Sequence, residues 1–221
     1  MSYMDHVALE LAMYLLKRLK EQVKIEFHVN RLHKSSHPEA QNSVGIVVPL
    51  DGWHFPRSTL DTFPDPKLAY DRRGAHWTFN GGGYVSFVER LRDPQAMLDN
   101  GIVTAPSFSH SLKDPVMDDI VIHPHHRIVI IEGLYVFLNI EPWIKAGRTL
   151  DERWFLRVDP VQGKERLCKR HVETGVAGSW EEAIWRAENN DIPNGKFIEA
   201  NMLPPTREIP NKEDHDLGQS A

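Results

Sequence analysis

The stretch "VGIVVPLDGWHF", residues 44–55, decides the fold class of this 221-residue chain. Apolar side chains fill five of its first seven positions, a density typical of a strand that is covered on both faces of a sheet. Asp51 and Gly52 follow this strand directly. The carboxyl ends of strands in open α/β sheets are where ligands bind, so Asp51 becomes a candidate functional residue.

The composition indicates one soluble domain spanning residues 1–221. The hydrophobic content of 41% is ordinary for a globular protein, and the net charge of −5 comes without a basic stripe, which argues against a nucleic-acid partner. No apolar run reaches the roughly 18 residues that a membrane span needs. A single cysteine favours a reducing compartment. We therefore expect a cytoplasmic protein, whose oligomeric state the composition does not set.

The first 43 residues give a less regular pattern. Apolar residues recur at helical spacing over residues 5–21, which predicts an amphipathic helix that packs on the core or binds a partner. Residues 23–29 alternate between apolar and polar side chains, which predicts a half-exposed strand. A polar loop is expected to follow.

Strands and helices alternate through the rest of the chain. The sequence predicts strands over 127–138 and 152–159 and helices over 66–72, 84–99, 160–174 and 179–190, with Gly81–Gly83 as the turn that starts a helix. From Pro204 onward we expect a flexible tail. This order favours an α/β fold, in which a mostly parallel sheet is flanked by helices on both faces.

Two acids end predicted strands in the same way. Asp51 precedes Gly52, and Glu132 precedes Gly133, so both carboxylates are expected at one edge of the parallel sheet. Such a pair can hold Mg²⁺ through water and accept a proton from an attacking hydroxyl. The alternative is that each acid caps the following helix.

Basic and histidine side chains supply further candidates. Arg72 and Arg73 precede a glycine, and arginine forks match phosphate or carboxylate oxygens; a solvated helix end is the alternative. The segment 106–116 is predicted to be a loop that carries His110 near a substrate, or else a structural turn. Arg166 and Arg170 share one face of a predicted helix and Arg186 lies on the next; they could form a lid over phosphates or a solvated face.

A phosphate loop is missing from the sequence. Its signature, G-x-x-x-x-G-K-[ST], supplies backbone amides and a lysine to nucleotide phosphates. Gly163-Lys164 is followed by Glu165, and Gly195-Lys196 by Phe197. Neither pair completes the signature.

The motifs PLDGWHF, RRGAHWTFN, PSFSHSLKDPV, RIVIIEGLYVFL, DERWFLRVD, RLCKRHVETG and RAENNDIPNGKFI together resemble the phosphoribulokinase/uridine kinase family of P-loop kinases, in its fungal and bacterial nucleoside or nucleotide kinase-like branch. The resemblance runs from about residue 29 to 203. It implies a three-layer P-loop kinase-like fold with a small helical lid over 160–195, which transfers a phosphoryl group from ATP to a small-molecule hydroxyl with Mg²⁺.

The resemblance also implies residue roles. Asp51 matches the catalytic base and metal contact, and Glu132 matches the acid of the Walker B-like strand. Arg72, Arg73 and His110 match the substrate side. Arg166 and Arg170 match lid arginines that cover the ATP phosphates.

The departure from the family lies near the N-terminus. Relatives carry the first strand and the phosphate loop before the segment that matches VNRLHKSSHPEA, whereas here QVKIEFH takes their place, so that strand and that loop are expected to be missing. KIEFHV could repair the sheet. Three hypotheses follow: a kinase of this family with little turnover, a catalytically inactive kinase-fold protein that binds a ligand or partner, or a truncated product that folds badly.

Overall fold

A parallel five-stranded sheet forms the centre of the protein. The computed structural model describes residues 12–14, 19–98, 101–157 and 160–210. Among these, the strands of the main sheet lie in the order β2-β5-β1-β6-β7, and every neighbouring pair is parallel. A separate antiparallel hairpin consists of β3 and β4. The strands are β1 (Ala12–Tyr14), β2 (Gly45–Pro49), β3 (Val103–Ser109), β4 (Asp114–Ile122), β5 (Ile128–Glu132), β6 (Arg153–Arg157) and β7 (Arg207–Pro210).

Helices connect the strands and complete the α/β fold that the sequence predicts. They are α1 (Leu19–Ser36), α2 (Arg57–Leu60), α3 (Pro66–Asp71), α4 (Gly81–Arg92), α5 (Pro94–Leu98), α6 (Trp143–Thr149), α7 (Pro160–Glu173), α8 (Trp180–Arg186) and α9 (Ile192–Asn201). A 3₁₀ turn, Leu50–Trp53, follows β2, and a π-helical turn, Ala187–Asp191, joins α8 to α9.

The core lies between the sheet and the helices α4 and α6. Val48 of β2 and Val129 and Ile131 of β5 have no exposed surface, and Tyr84 and Trp143 pack in the same cluster. Burying one such side chain contributes about 1.5–3 kcal/mol, which explains why the apolar runs form strands. The strand predicted over 127–138 is shorter than expected, because β5 ends at Glu132, Gly133 has a φ of +152°, and residues 133–137 form bends and turns. A smaller cluster of Leu167, Cys168, Ala177, Ala183 and Ala187 packs within the predicted lid region.

The N-terminal predictions need correction. Residues 12–14, predicted as part of a helix over 5–21, form a strand between β5 and β6, so the position of the first strand is not empty. Residues 5–11 and 15–18 lie outside the described residues. The strand predicted over 23–29 is wrong, because these residues belong to α1 and KIEFHV does not repair the sheet.

Asn30 explains why α1 is held against β2. Its Oδ1 accepts hydrogen bonds from the amides of Val44 (2.9 Å) and Gly45 (2.8 Å), and its Nδ2 donates to the carbonyl of Gly45 (3.1 Å). These bonds satisfy backbone amide and carbonyl groups at the start of β2. The contact between α1 and β2 thus outweighs the apolar–polar alternation of residues 23–29, which by itself is typical of a strand.

The segment 106–116, predicted as a loop, is mostly the β3–β4 hairpin. Pro106 lies at a register shift of the hairpin, where a missing amide hydrogen is tolerated. The predicted helix over 84–99 begins earlier, at Gly81 with the Asn80 side chain as its cap, and it breaks at Pro94, which lacks the amide hydrogen needed to continue α4. Residue 99 lies outside the described range.

The C-terminal prediction is wrong in part. Residues 207–210 were expected in a flexible tail, but they form the edge strand β7 beside β6. The Arg157 guanidinium donates two hydrogen bonds to the Glu208 carboxylate, at 2.6 and 2.9 Å. Residues 211–221 lie outside the described part of the chain.

Candidate active site

Asp51 and Glu132 lie at the same edge of the sheet. Pro49 of β2 is directly opposite Glu132 of β5, and the next turn carries Asp51. The neighbouring glycines allow this approach: a Cβ on Gly52 would lie 2.0 Å from the Pro106 carbonyl oxygen, and one on Gly133, whose φ is +152°, would lie 2.3 Å from a Leu50 carbon. No other residue type fits these two positions without displacing the backbone.

The two carboxyl groups differ in environment. The Glu132 residue is 8% exposed, and burial raises its pKa to about 8, with the nearby Asp51 charge adding to the effect. The Asp51 side chain is 53% exposed. Paired acids with separated proton affinities are a common arrangement in active sites.

His54 belongs to the same site, although the sequence analysis did not select it. Its Nδ1 donates to the Asp51 carbonyl oxygen at 2.8 Å and lies 3.9 Å from the Asp51 carboxylate. The ring packs on Phe79, with 3.9 Å between centroids. Burial lowers the pKa of His54, and Asp51 opposes this shift, so a neutral imidazole borders the exposed carboxylate.

Arg73 holds the β3–β4 hairpin next to the segment that follows β2. Its Nη1 donates to the Lys113 carbonyl at 2.7 Å, and its Nη2 donates to the Phe55 carbonyl (3.1 Å) and the Asp114 carboxylate (3.0 Å). Lys113 has a φ of +56°, a strained conformation that turns its carbonyl toward this bond. These acceptors occupy both terminal nitrogens of Arg73.

Arg72 points to a different set of partners. Its Nη2 donates to Asn194 Oδ1 at 3.2 Å, and the Asn194 amide donates to the Gly74 carbonyl at 3.3 Å. The Tyr135 hydroxyl donates to the same carbonyl at 2.6 Å. The buried Nε of Arg72 has no hydrogen-bond partner. The predicted basic pair therefore divides: Arg73 bonds to the hairpin and Arg72 bonds to α9.

His110 lies at the tip of the β3–β4 hairpin. It is exposed, and its ring meets Phe108 edge to face at 5.5 Å between centroids. The His110 charge also contributes to lowering the pKa of His54. The hairpin thus carries His110 toward the side of the site where His54 lies.

The lid cations are not equivalent. Arg170 is partly buried on α7; burial lowers its pKa, while the carboxylates of Asp191 and Asp51 raise it. Arg166 lies one turn earlier on the same helix. Arg186 instead donates to Glu182 of its own helix at 3.2 Å. The structure brings Arg170 within electrostatic range of Asp51, whereas the Arg186–Glu182 ion pair lies within α8.

The oxygen ligands of this edge fit a hard cation. Asp51 and Glu132 offer the carboxylate oxygens that Mg²⁺ prefers, and Mg²⁺ usually takes only one or two such ligands together with water and phosphate. Within residues 12–14, 19–98, 101–157 and 160–210, no group of three or more His, Cys, Asp or Glu side chains is arranged to hold a metal ion. Asp51 and Glu132 would therefore supply one or two of the ligands of such an ion.

Several site residues were missed by the sequence analysis. They are His54, Tyr135, Asn190, Asp191 and Asn194. His54 stands inside the opening motif, and the three C-terminal residues stand inside RAENNDIPNGKFI. The roles of Asn190 and Asn194 appear only in their contacts with Arg73 and Gly74, more than 100 residues away, and that of Asp191 in its contact with His171. No helix in the described part of the chain is long and apolar enough to cross a membrane.

Comparison with known proteins identifies relatives along most of the chain. No family model matches. The ATP-dependent kinase-like protein notR' of Aspergillus versicolor is 44% identical over 161 residues, which cover 73% of this chain and 93% of that protein. A Schizosaccharomyces pombe protein provisionally named a uridine kinase is 38% identical over 159 residues, which cover 72% of this chain and 66% of that protein.

A solved structure supports the same assignment. The crystal structure of Saccharomyces cerevisiae YFH7, provisionally described as a P-loop-containing kinase with a circular permutation, matches with a TM-score of 0.67 and 28% identity. The match covers 77% of this chain and 59% of YFH7, so the chain spans only about three fifths of that relative. Sequence motifs, sheet order and relatives agree, and the chain belongs to the phosphoribulokinase/uridine kinase family of P-loop kinases.

Proposed function

We propose that this site serves the transfer of a phosphoryl group from ATP to a hydroxyl group of a small molecule, and that this chain performs the reaction at a strongly reduced rate. The observation that carries the proposal is the exposed Asp51 carboxylate at the sheet edge, beside the buried Glu132 and within electrostatic range of Arg170. A kinase site needs a proton acceptor and cations around the transferred group.

Each residue has a distinct part in this proposal. Asp51 is half exposed and accepts the proton of the attacking hydroxyl. Glu132 carries a proton at neutral pH because its pKa is about 8, and it loses that proton when a cation binds beside it. Arg170, with Arg166 one turn away, covers phosphate oxygens, and Arg186 can join them by leaving Glu182. Mg²⁺, when bound with ATP, supplies the charge that offsets the phosphate oxygens.

The substrate side is formed by the hairpin and the Arg72–Gly74 segment. The Arg72 guanidinium donates to Asn194 Oδ1, and His110 is exposed at the hairpin tip. Both are proposed to contact the acceptor, while Arg73 holds the hairpin in place through its own contacts. The Schizosaccharomyces pombe relative suggests a nucleoside as one acceptor to test.

The reduced rate follows from the sequence between β1 and α1. Four residues, Leu15-Leu16-Lys17-Arg18, connect these elements and contain no glycine. A phosphate loop needs glycines whose backbone amides surround the β- and γ-phosphates. Without them, part of the charge that develops in the transition state is not stabilised.

The same observation favours one alternative, a kinase-fold protein that binds a ligand without transferring phosphate. Measuring ADP formation with MgATP and a panel of nucleosides, sugars, pantothenate and ribulose phosphate separates the two. We expect the chain to form ADP far more slowly than the ~1–100 s⁻¹ typical of kinases, and Asp51→Asn to abolish the acceptor-dependent part.

A loop-graft variant provides the positive control. In this variant a G-x-x-x-x-G-K-S loop replaces residues 15–18, and acceptor-dependent turnover is expected to rise. A typical kinase rate in the unmodified chain would contradict the reduced-rate proposal. No acceptor-dependent turnover in either protein would favour the binding function.

A further inference from the structure

The π-helical turn Ala187–Asp191 contacts two parts of the candidate site: the lid helix α7 and the Arg72–Gly74 segment. Such turns hold their backbone in a less stable hydrogen-bonding pattern than an α-helix and occur frequently at functional sites. Ala187 at its start is fully buried in the lid cluster, and Asn194 just after it is 5% exposed. The turn therefore has one buried side, which lies between α7 and the Arg72–Gly74 segment, while Glu188 and Asn189 are exposed.

One side of the turn holds the lid. The Asp191 carboxylate lies 2.9 Å from Nε2 of His171, which is 8% exposed on α7. Asp191 is also the carboxylate that acts most strongly on Arg170, the residue before His171. Asp51 also acts on this guanidinium, so Arg170 lies in the combined field of the two carboxylates.

The other side of the turn holds the substrate-side segment. The Asn190 amide donates to the Arg73 carbonyl at 3.2 Å. Asn194 Nδ2 donates to Asn190 Oδ1 at 3.1 Å and to the Gly74 carbonyl at 3.3 Å. Adjacent residues of one turn, Asn190 and Asp191, thus face in two directions: one holds the Arg72–Gly74 segment and the other holds α7.

We propose that Asp191 and Asn190 are positioning residues that couple the lid helix α7 to the Arg72–Gly74 segment, so that Arg170 and Arg72 keep a fixed separation. Asp191 orients Arg170 through its charge and α7 through His171. Asn190 carries the same constraint to the substrate side. The coupling is a property of the folded chain, whereas its benefit for phosphoryl transfer rests on the proposed function.

Hydrogen exchange tests the coupling without requiring activity. In Asp191→Ala, amide exchange should rise about tenfold in residues 166–173 of α7 and also in residues 72–76, because one or more hydrogen bonds that hold both segments are lost. Asn190→Ala should produce the same two-sided change. Asn189→Ala is the matched control, since Asn189 is exposed on the same turn and its amide bonds only to the Trp185 carbonyl; its exchange should match the parent chain.

Faster exchange confined to α7 in Asp191→Ala, or an equal change in the Asn189→Ala control, would overturn the coupling.

Binding of MgATP by the loop-graft variant tests the positioning role. Asp191→Ala and Arg170→Ala should each weaken it about tenfold, and the double variant should be no weaker than either, because Asp191 acts through Arg170. Additive losses would overturn the positioning role. A graft that binds no MgATP counts against the proposed function alone, and the exchange result then decides the coupling.

Discussion

At the scale of single residues, Glu132 links burial to pH. Its pKa is about 8 in the folded protein, above the ordinary value of 4.5. Between these values the unfolded chain ionises this group while the folded chain keeps the proton, so stability is fully present below pH 4.5 and is lost as pH rises through 8. Glu132→Gln should be as stable as the parent near pH 4 and more stable by a few kcal/mol near pH 9. Urea unfolding across this range measures the difference, and a pH-independent difference would contradict the prediction.

Gly52 and Gly82 provide a second test at this scale. A methyl group at Gly52 would overlap the Pro106 carbonyl, whereas at Gly82, on the exposed face of α4, the nearest atom would be 3.9 Å away. Gly82→Ala should stabilise the protein by about 0.5–1 kcal/mol. Gly52→Ala should destabilise it by about 2 kcal/mol or more. Thermal melts of the two variants measure both changes in stability. A Gly52→Ala variant as stable as the parent would mean that the turn carrying Asp51 does not need this close approach.

At the scale of elements, continuous apolar runs predicted β2 and β5, because burial on both faces leaves a local signature. β6 was predicted from a weaker pattern, and most of its residues are only half-buried. The three-residue strand β1 leaves none, since its place depends on β5 and β6, which lie more than 100 residues later. The hairpin was missed because its prolines resemble loop residues. Asn190 and Asp191 could not be identified from sequence, since their roles arise only when α7 and the Arg72–Gly74 segment meet.

Helix α1 gives the prediction at this scale. Asn30 makes three hydrogen bonds to Val44 and Gly45, and Asn30→Ala should cost about 2–3 kcal/mol because backbone groups lose their partners. Ser35→Ala is the control, since Ser35 is exposed and bonds only to the Arg31 carbonyl of its own helix; it should change stability by less than about 0.5 kcal/mol. Denaturant unfolding compares the two, and equal losses would show that α1 is not fixed through Asn30.

At the scale of the whole molecule, the sheet, hairpin and lid bring Asp51, Glu132 and Arg170 together, in a chain whose sequence lacks the phosphate-loop signature. The central claim is that the acceptor side and the lid of a kinase site are assembled here while nucleotide phosphate is held poorly. ATP affinity, rather than folding, should then distinguish this chain from its loop-graft variant.

The most direct test is a thermal melt of the chain and of the loop-graft variant, each with and without MgATP. A ligand at 100 times its dissociation constant stabilises by about 2.7 kcal/mol, and each kcal/mol moves a protein of this size by roughly 2–4 °C. We predict cooperative melting of both proteins, a rise of about 5 °C or more for the graft, and less than about 2 °C for the unmodified chain. Equal rises in both would contradict the claim that the missing loop limits nucleotide binding.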